Sequence, residues 1–389
     1  MTLNAHRAEG GGLTEQILVR GVNWLGDAVM TTPALLRLRE AKPRAHITLL
    51  TPEKLGDLWT RHPALNAVLT FSDRDTVWSV ARKLRQAGFQ IGLALPNSDR
   101  SALELWLARI PQRVGYAAPL RNWFLTQRIA PRADFVPMRK RSVYEIGRLA
   151  ASGPGGIPRA APGAPPRRSA HHLHQYLHLV AALGANPEPR PPLLEMNGEE
   201  VAAVRERFSL APGVRWFGLN PGAEYGPAKR WPPERFIAAA TAVQKQTHCR
   251  WLIFGARADV ALATAMADSL TRAFAAVPPL NLAGRTTLRE LSALLKLCRV
   301  LLTNDSGPMH VAAAVGTPVV ALFGSTSPEL TGPGLPGDPR HHLLTSTAAC
   351  SPCFRRECPI DFRCMTGVGV ERVVDAVLNA CASGKPNQT

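Results

Sequence analysis

Three short stretches place residues suited to an anionic substrate where apolar runs give way to turns. The first, RGVNWLGDAVMTTPALLRLRE, follows the apolar run Ile17–Val19 and sets Asp27 directly after Gly26, at an expected change from strand to helix. A carboxylate there has two uses: it caps the free amides of a helix N-terminus, or it takes a proton from a substrate hydroxyl. Pro33 bears on the choice, because proline is comfortable only near a helix start. A regular helix beginning at Thr32 or Pro33, capped by Thr31 or Thr32, frees Asp27 from capping. A helix beginning directly after Asp27 puts a kink at Pro33 and lets Asp27 both cap and react.

The second stretch, FGLNPGAEYGPAKRWPPERF, leaves a strand for a loop broken by Pro221, Gly222 and Gly226, then reaches Lys229, Trp231 and a helix opened by Pro232 and Pro233. Helix N-termini attract phosphate, so Lys229 on that loop is a candidate phosphate contact; the alternative is a turn with a solvated lysine. The third, VLLTNDSGPMHVAAAVGTPVVALFG, runs from strand Val300–Thr303 through N-D-S-G into a small-residue helix with His310 in its first turn. It returns as strand Val319–Phe323. Asp305 or Ser306 is expected to cap this helix, and Gly307 lets a ligand reach its amides; a pyrophosphate fits there. Asp305, Ser306 and His310 are too close in sequence to form a hydrolase triad. Thr287 and Glu290 have capping-box spacing ahead of a leucine-periodic helix, which reads as scaffold.

The elements that carry these stretches alternate. Short apolar runs (ILVRG, HITLLTP, VLTFSD, IGLALPN, then RWFGLNPG, RWLIFGA, RVLLTND, PVVALFGS) are separated by helical patterns, which predicts parallel sheets covered on both faces. Both halves read as Rossmann-like, with ligands expected beyond the carboxyl ends of the strands in a cleft between two sheets. Neither half has G-x-G-x-x-G after its first strand, nor G-x-x-x-x-G-K-[ST], which argues against dinucleotide and P-loop enzymes. At 389 residues two domains are expected. Residues 15–191 form the first and 192–389 the second, with the proline-dense Pro187–Gly198 as linker. Residues 1–14 read as a flexible extension and 152–170, rich in Pro, Gly and Arg, as a mobile surface loop.

Lys plus Arg number 46 against 29 Asp plus Glu, a formal charge of +17, which favours a polyanionic partner. Nucleic acid, an anionic membrane and a phosphorylated substrate all fit the sign. The 6% aromatic content, without basic and aromatic residues interleaved, weakens nucleic acid. No apolar run reaches a membrane span and the start lacks a signal-peptide core, so a cytoplasmic location is expected. Seven cysteines, an odd number, argue against a disulfide framework. Cys350, Cys353, Cys358 and Cys364 cluster as C-x2-C, x4, C-x5-C, and a structural zinc, an iron–sulfur cluster and plain reduced thiols all stand as readings.

Taken together, RGVNWLGDAVMTTPAL, NPGAEYGPAKRWP and TNDSGPMHVAAAVGTPVVALFGSTSP resemble the ADP-heptose lipopolysaccharide heptosyltransferases of glycosyltransferase family nine, in register from Ile17 to about Pro328. The G-P-A-K-R-W-P form resembles the branch that adds the second heptose. The resemblance implies a GT-B fold of two Rossmann-like domains, with the lipid A inner-core acceptor on the first and ADP-heptose on the second. It implies Asp27 as the base. It also implies that Asn220, Gly222, Ala223 and Lys229 hold the diphosphate, while Asp305, Ser306, Gly307 and His310 line the donor site. The expected reaction is inverting transfer of heptose from ADP-L-glycero-D-manno-heptose to heptosyl-Kdo2-lipid A. A single displacement needs one base and no enzyme nucleophile, and no metal is required. Arg113, Arg121 and Arg128 are candidate acceptor contacts. The enzyme is expected to be a monomer, peripheral on the cytoplasmic face of the inner membrane, with no nucleic-acid partner. The alternatives are addition of the first heptose, a related GT-B enzyme using another nucleotide sugar, and, more distantly, a nucleic-acid-binding protein.

Overall fold

In the computed structural model the described residues are 14–151 and 168–383. Residues 1–13 of the expected extension and 152–167 of the Pro and Arg-rich segment lie outside them; Arg168–Ala170 form a single 3-10 turn.

Two six-stranded sheets form, each entirely parallel. The first contains β1 (Gln16–Arg20), β2 (His46–Pro52), β3 (Ala67–Phe71), β4 (Ile91–Ala94), β5 (Gln112–Tyr116) and β6 (Gln127–Ile129), in the order β3-β2-β1-β4-β5-β6. The second contains β7 (Trp216–Asn220), β8 (Arg250–Ile253), β9 (Leu280–Asn281), β10 (Leu301–Asn304), β11 (Val319–Phe323) and β12 (His341–Thr345), in the order β12-β11-β10-β7-β8-β9. Numbered within its own sheet, the second order is the first one read backwards, so the doubly wound plan occurs twice. Central strands β1, β7, β10 and β11 are buried almost end to end, which is why they read as unbroken apolar runs. The order of connection reverses between β1 and β4, and again between β7 and β10. In open α/β sheets such switch points open a crevice for ligands.

The strands that the apolar pattern does not announce are β5, β6, β9 and β12. β5 reads QRVGY, β6 and β9 have three and two residues, and β12 opens with two histidines. Their pairing with a neighbouring strand, rather than their own composition, defines them.

Helices cover both faces, and one apolar cluster continues from the first sheet's face (Ile17, Val19, Leu49) to the second sheet's (Leu252, Phe254, Leu301), passing Leu194 and Met196 of the linker. Residues 187–197 are neither helix nor strand, and they touch both halves: the Leu193 amide donates to Thr32 Oγ1 and the Leu194 amide to the Ala314 carbonyl. The helix Leu288–Leu297 has the expected capping box, with Thr287 Oγ1 accepting from the Glu290 amide and the Glu290 carboxylate accepting from the Thr287 amide.

At the end of β1 a buried ion pair sets the direction of the loop that follows. Arg20 Nε donates to Glu104 Oε2 at 2.8 Å, while Nη1 donates to the Gly21 carbonyl and to Asn23 Oδ1, and the guanidinium stacks over Phe71. Both side chains are buried, and Glu104 Oε1 also accepts from Arg100 Nε at 2.9 Å, so it is removal of Glu104 that would strand the Arg20 charge, at roughly 3–5 kcal/mol. This anchor holds residues 21–24 just ahead of Asp27.

Candidate active site

The helix after β1 is broken in two. Leu25–Met30 forms a first short helix and Thr32–Ala41 a second, joined at Thr31, with Pro33 in the opening turn of the second. The helix start at Thr32 agrees with the expectation, but no side chain caps it: Thr31 Oγ1 donates to the Ala28 carbonyl and Thr32 Oγ1 to that of Val29. Asp27 lies in the first turn of the Leu25–Met30 helix, and its carboxylate caps neither helix.

That carboxylate faces a cavity of about 370 Å³ between the halves, within the range that encloses a small-molecule substrate. Burial pushes Asp27 up to about 6. Lys229 pulls it down, Asp305 pushes it up, and a hydrogen bond from the Tyr176 hydroxyl pulls it down. Tyr176 sits on helix Leu173–Ala181, itself buried, with its phenol held protonated by burial and by Asp27.

The second half meets Asp27 with loops that follow β7 and β10. Lys229 Nζ donates to Asp305 Oδ2 at 2.6 Å, and Thr326 Oγ1 donates to the same oxygen at 2.5 Å. Neither Asp305 nor Ser306 caps the helix Gly307–Ala314 with its side chain; Ser306 Oγ instead bonds with Asn220 Nδ2 and Thr303 Oγ1. Asn304 ties the same loops together, donating to the Pro221 carbonyl and accepting from the Trp231 amide. Burial keeps His310 neutral, at about 4.

Two glycines let the halves close on each other here. A Cβ at Gly26 would stand 2.7 Å from His310 Cδ2, and one at Gly307 would stand 2.8 Å from Leu25 Cδ2. Each helix therefore presents a glycine to a side chain of the other, and both positions need the missing Cβ for this approach.

The structure thus brings Asp27, Lys229, Asp305, Ser306, Gly307 and His310 to one cavity. Asn220, Gly222 and Ala223 do not line it. Asn220 is a buried brace, Gly222 backs onto the Asp259 carboxylate, and the Ala223 carbonyl accepts from Arg230; the same loop reaches the cavity through Glu224 and Tyr225. Arg113, Arg121 and Arg128 also lie outside it. Arg113 is bound to the carbonyls of Phe124 and Ile110, and Arg121, 1% exposed, to the Pro96 carbonyl and Asn97; both guanidiniums brace loops of the first half. Arg128 is exposed on the edge strand β6.

The four clustered cysteines are free thiols, and among the described residues no group of three or more His, Cys, Asp or Glu is placed to hold a metal ion. Cys350 and Cys353 pack with Ile146 and Leu149 of the first half, and burial raises the Cys350 and Cys364 thiols, Cys364 to about 12. Cys350, Cys353 and Cys364 pack as core-like side chains. Sequence reasoning did not single out Trp24, Met138, Lys140, His172, Glu224, Tyr225, Thr326, Phe354 and Arg356 in the lining, nor Tyr176 behind it. Trp24, Glu224, Tyr225 and Thr326 had a signal, each standing a few residues beyond the carboxyl end of a buried strand.

Comparison with known proteins gives the family. Glycosyltransferase family 9 (heptosyltransferase) matches residues 159–362. The chain is 30% identical over 328 residues to lipopolysaccharide heptosyltransferase 2 of Salmonella typhimurium, covering 82% of this chain and 85% of that one. It is 34% identical over 367 residues to lipooligosaccharide heptosyltransferase 2 of Campylobacter jejuni, covering 93% and 98%. Among solved structures, ADP-heptose lipopolysaccharide heptosyltransferase II of Escherichia coli matches with a TM-score of 0.73 at 25% identity, over 94% of this chain and 98% of that one.

Proposed function

From the premise that this chain belongs to glycosyltransferase family 9, with the GT-B fold, we propose that it adds the second heptose of the lipopolysaccharide inner core. It is a glycosyltransferase that transfers heptose in lipopolysaccharide core biosynthesis. The finer reading takes ADP-L-glycero-D-manno-heptose as donor and heptosyl-Kdo2-lipid A as acceptor, with inversion at the anomeric carbon. The observation that carries it is the placement of one carboxylate without a cationic hydrogen-bond partner, Asp27, across a cavity from Lys229 on the loop that follows β7.

In this reading the acceptor hydroxyl gives its proton to Asp27 as its oxygen bonds to the anomeric carbon, and the bond from that carbon to the ADP oxygen breaks on the opposite face. The electron pair leaves with the diphosphate. Its charge is met by Lys229 and by the positive end of the Gly307–Ala314 helix, donors already in place before the reaction. Asp305 keeps Lys229 aimed at the cavity. With its pKa near 6, Asp27 is mostly ionised at neutral pH yet basic enough to accept a proton as the hydroxyl attacks. The neutral His310 adds no charge to the donor site.

Attachment to the membrane face that presents the acceptor is part of the proposal. Among the described residues no helix is long and apolar enough to cross a membrane. The helix Asp99–Leu107 and the turn Arg121–Trp123 pack together in the first half, and around them Trp106 is 46%, Leu120 63% and Trp123 80% exposed. Tryptophans favour the lipid headgroup level, and the formal charge of +17 favours anionic lipid.

The test is transfer of radiolabelled heptose from ADP-heptose to lipid acceptors carrying zero or one heptose, with UDP- and GDP-sugars as competing donors. Preference for ADP-heptose and the one-heptose acceptor is expected. Preference for the zero-heptose acceptor assigns the first addition, and preference for another donor overturns the donor reading.

A further inference from the structure

The cysteine-rich segment 350–364 has no role in the mechanism above, yet it reaches the cavity through Phe354 and Arg356. It is locked to the Lys229 loop: the Ala228 amide donates to the Arg356 carbonyl at 3.0 Å and the Tyr225 hydroxyl to the Phe354 carbonyl at 2.8 Å. The Tyr225 ring has two cations over it, Lys229 Nζ at 4.9 Å and the Arg356 guanidinium at 5.3 Å from its centroid.

The same segment is stitched to the first half beside Lys140. The Arg141 amide donates to the Cys353 carbonyl at 3.0 Å, Arg141 Nη1 to that of Ala349 at 3.1 Å, and Arg355 Nη1 to the Arg141 carbonyl at 2.8 Å. Cys350 and Cys353, packed against Ile146 and Leu149, form the apolar seam beneath these bonds. Lys140 is the neighbour of Arg141 and lines the same cavity as Arg356.

The charges in the cavity do not balance in pairs. Asp305 has Lys229 and Thr326, Glu224 has Lys54 at 3.0 Å, and Asp27 has Tyr176. Among the described residues, neither Lys140 nor Arg356 is in an ion pair. Two cations without an ion-pair partner on one cleft favour an anion there.

We propose that Lys140 and Arg356, one from each half, form an anion subsite that binds a phosphate or carboxylate oxygen of a substrate, with the cysteine seam as its mount. It rests on the glycosyltransferase reading for what the substrates are. The anion is either the diphosphate of the nucleotide sugar or an acidic group of the inner-core acceptor. Arginine suits such oxygens because its fork offers two parallel donors.

The experiment measures binding of ADP, inorganic pyrophosphate and adenosine by calorimetry, and the KM for acceptor, in Arg356→Gln, Lys140→Gln and the double variant. If the anion is the diphosphate, each single variant weakens ADP and pyrophosphate at least fivefold and leaves adenosine unmoved. If it belongs to the acceptor, the acceptor KM rises at least fivefold with ADP binding intact. Arg356→Lys should recover part of either loss. Lys140 is exposed on a loop, so its replacement leaves the fold in place. The inference is overturned if both single variants stay within twofold of wild type for every ligand. Because ADP binding needs no turnover, failure of the heptose-transfer reading would show separately, as a wild-type protein that does not use ADP-heptose.

Discussion

Asp27 and Asp305 face one cavity from opposite halves of the molecule, Asp27 in the first turn of the short helix after β1 and Asp305 on the loop after β10, both central strands of the same doubly wound plan. Asp305 holds a lysine at 2.6 Å and a threonine hydroxyl at 2.5 Å on one oxygen. Asp27 has a single neutral donor, Tyr176, and burial lifts it to about 6. A carboxylate committed to a lysine is a poor proton acceptor, whereas a desolvated one with a neutral partner is a good one. In the proposed mechanism the partners, more than the position, divide the work: proton acceptance in the first half, charge stabilisation in the second.

The division is broken most severely at Asp27. Asp27→Asn keeps the shape and removes the base, so kcat should fall about 10³-fold with ADP affinity little changed, read by single-turnover transfer and calorimetry. Asp305→Asn should behave differently. It releases Lys229 and lowers the rate roughly tenfold, the scale of one charge-assisted hydrogen bond, and because the Asp305 charge holds Asp27 up, the acid limb of the pH–rate profile should move to lower pH rather than vanish. Equal losses in the two variants would remove the distinction between the carboxylates.

Tyr176→Phe sharpens the comparison from behind the site. The tyrosine hydrogen bond favours ionised Asp27, so its loss raises the Asp27 pKa, and the acid limb should move up by about one pH unit. The rate should drop several-fold at pH 6 and little at pH 8.5; an unmoved midpoint would mean that the phenol does not set the base. The smallest effect is expected at the surface. Leu120→Ser with Trp123→Ser should lower activity a few-fold on acceptor in anionic vesicles and not on detergent-dispersed acceptor, and equal activity in both would remove that face from membrane contact.

Much of this site was legible in the sequence because each of its motifs carries its own local signal. Asp27, Lys229 and Asp305 all follow apolar runs that could only be buried strands, and the ends of such strands are where a ligand crevice opens. Pro33 offered a helix start at Thr32, which the structure has, but not the short helix Leu25–Met30 ahead of it that holds Asp27. What stayed hidden depends on contacts distant in sequence. Tyr176 is 149 positions from Asp27 and sits on an ordinary amphipathic helix, and Arg356 lies in a segment whose cysteines drew the eye to metal. Arginine is ambiguous for the same reason: Arg113 and Arg121 carry charge in the sequence, but the carbonyls they bind appear only once β4, β5 and their loops are assembled.

The most direct measurement is the pH dependence of single-turnover heptose transfer by the wild-type protein from pH 4.5 to 8.5. Only the ionised form of Asp27 accepts the proton, so the rate should rise through a single ionisation near 6 and level off above it. A rate that is flat across this range, or a limb that survives unchanged in Asp27→Asn, would contradict Asp27 as the base.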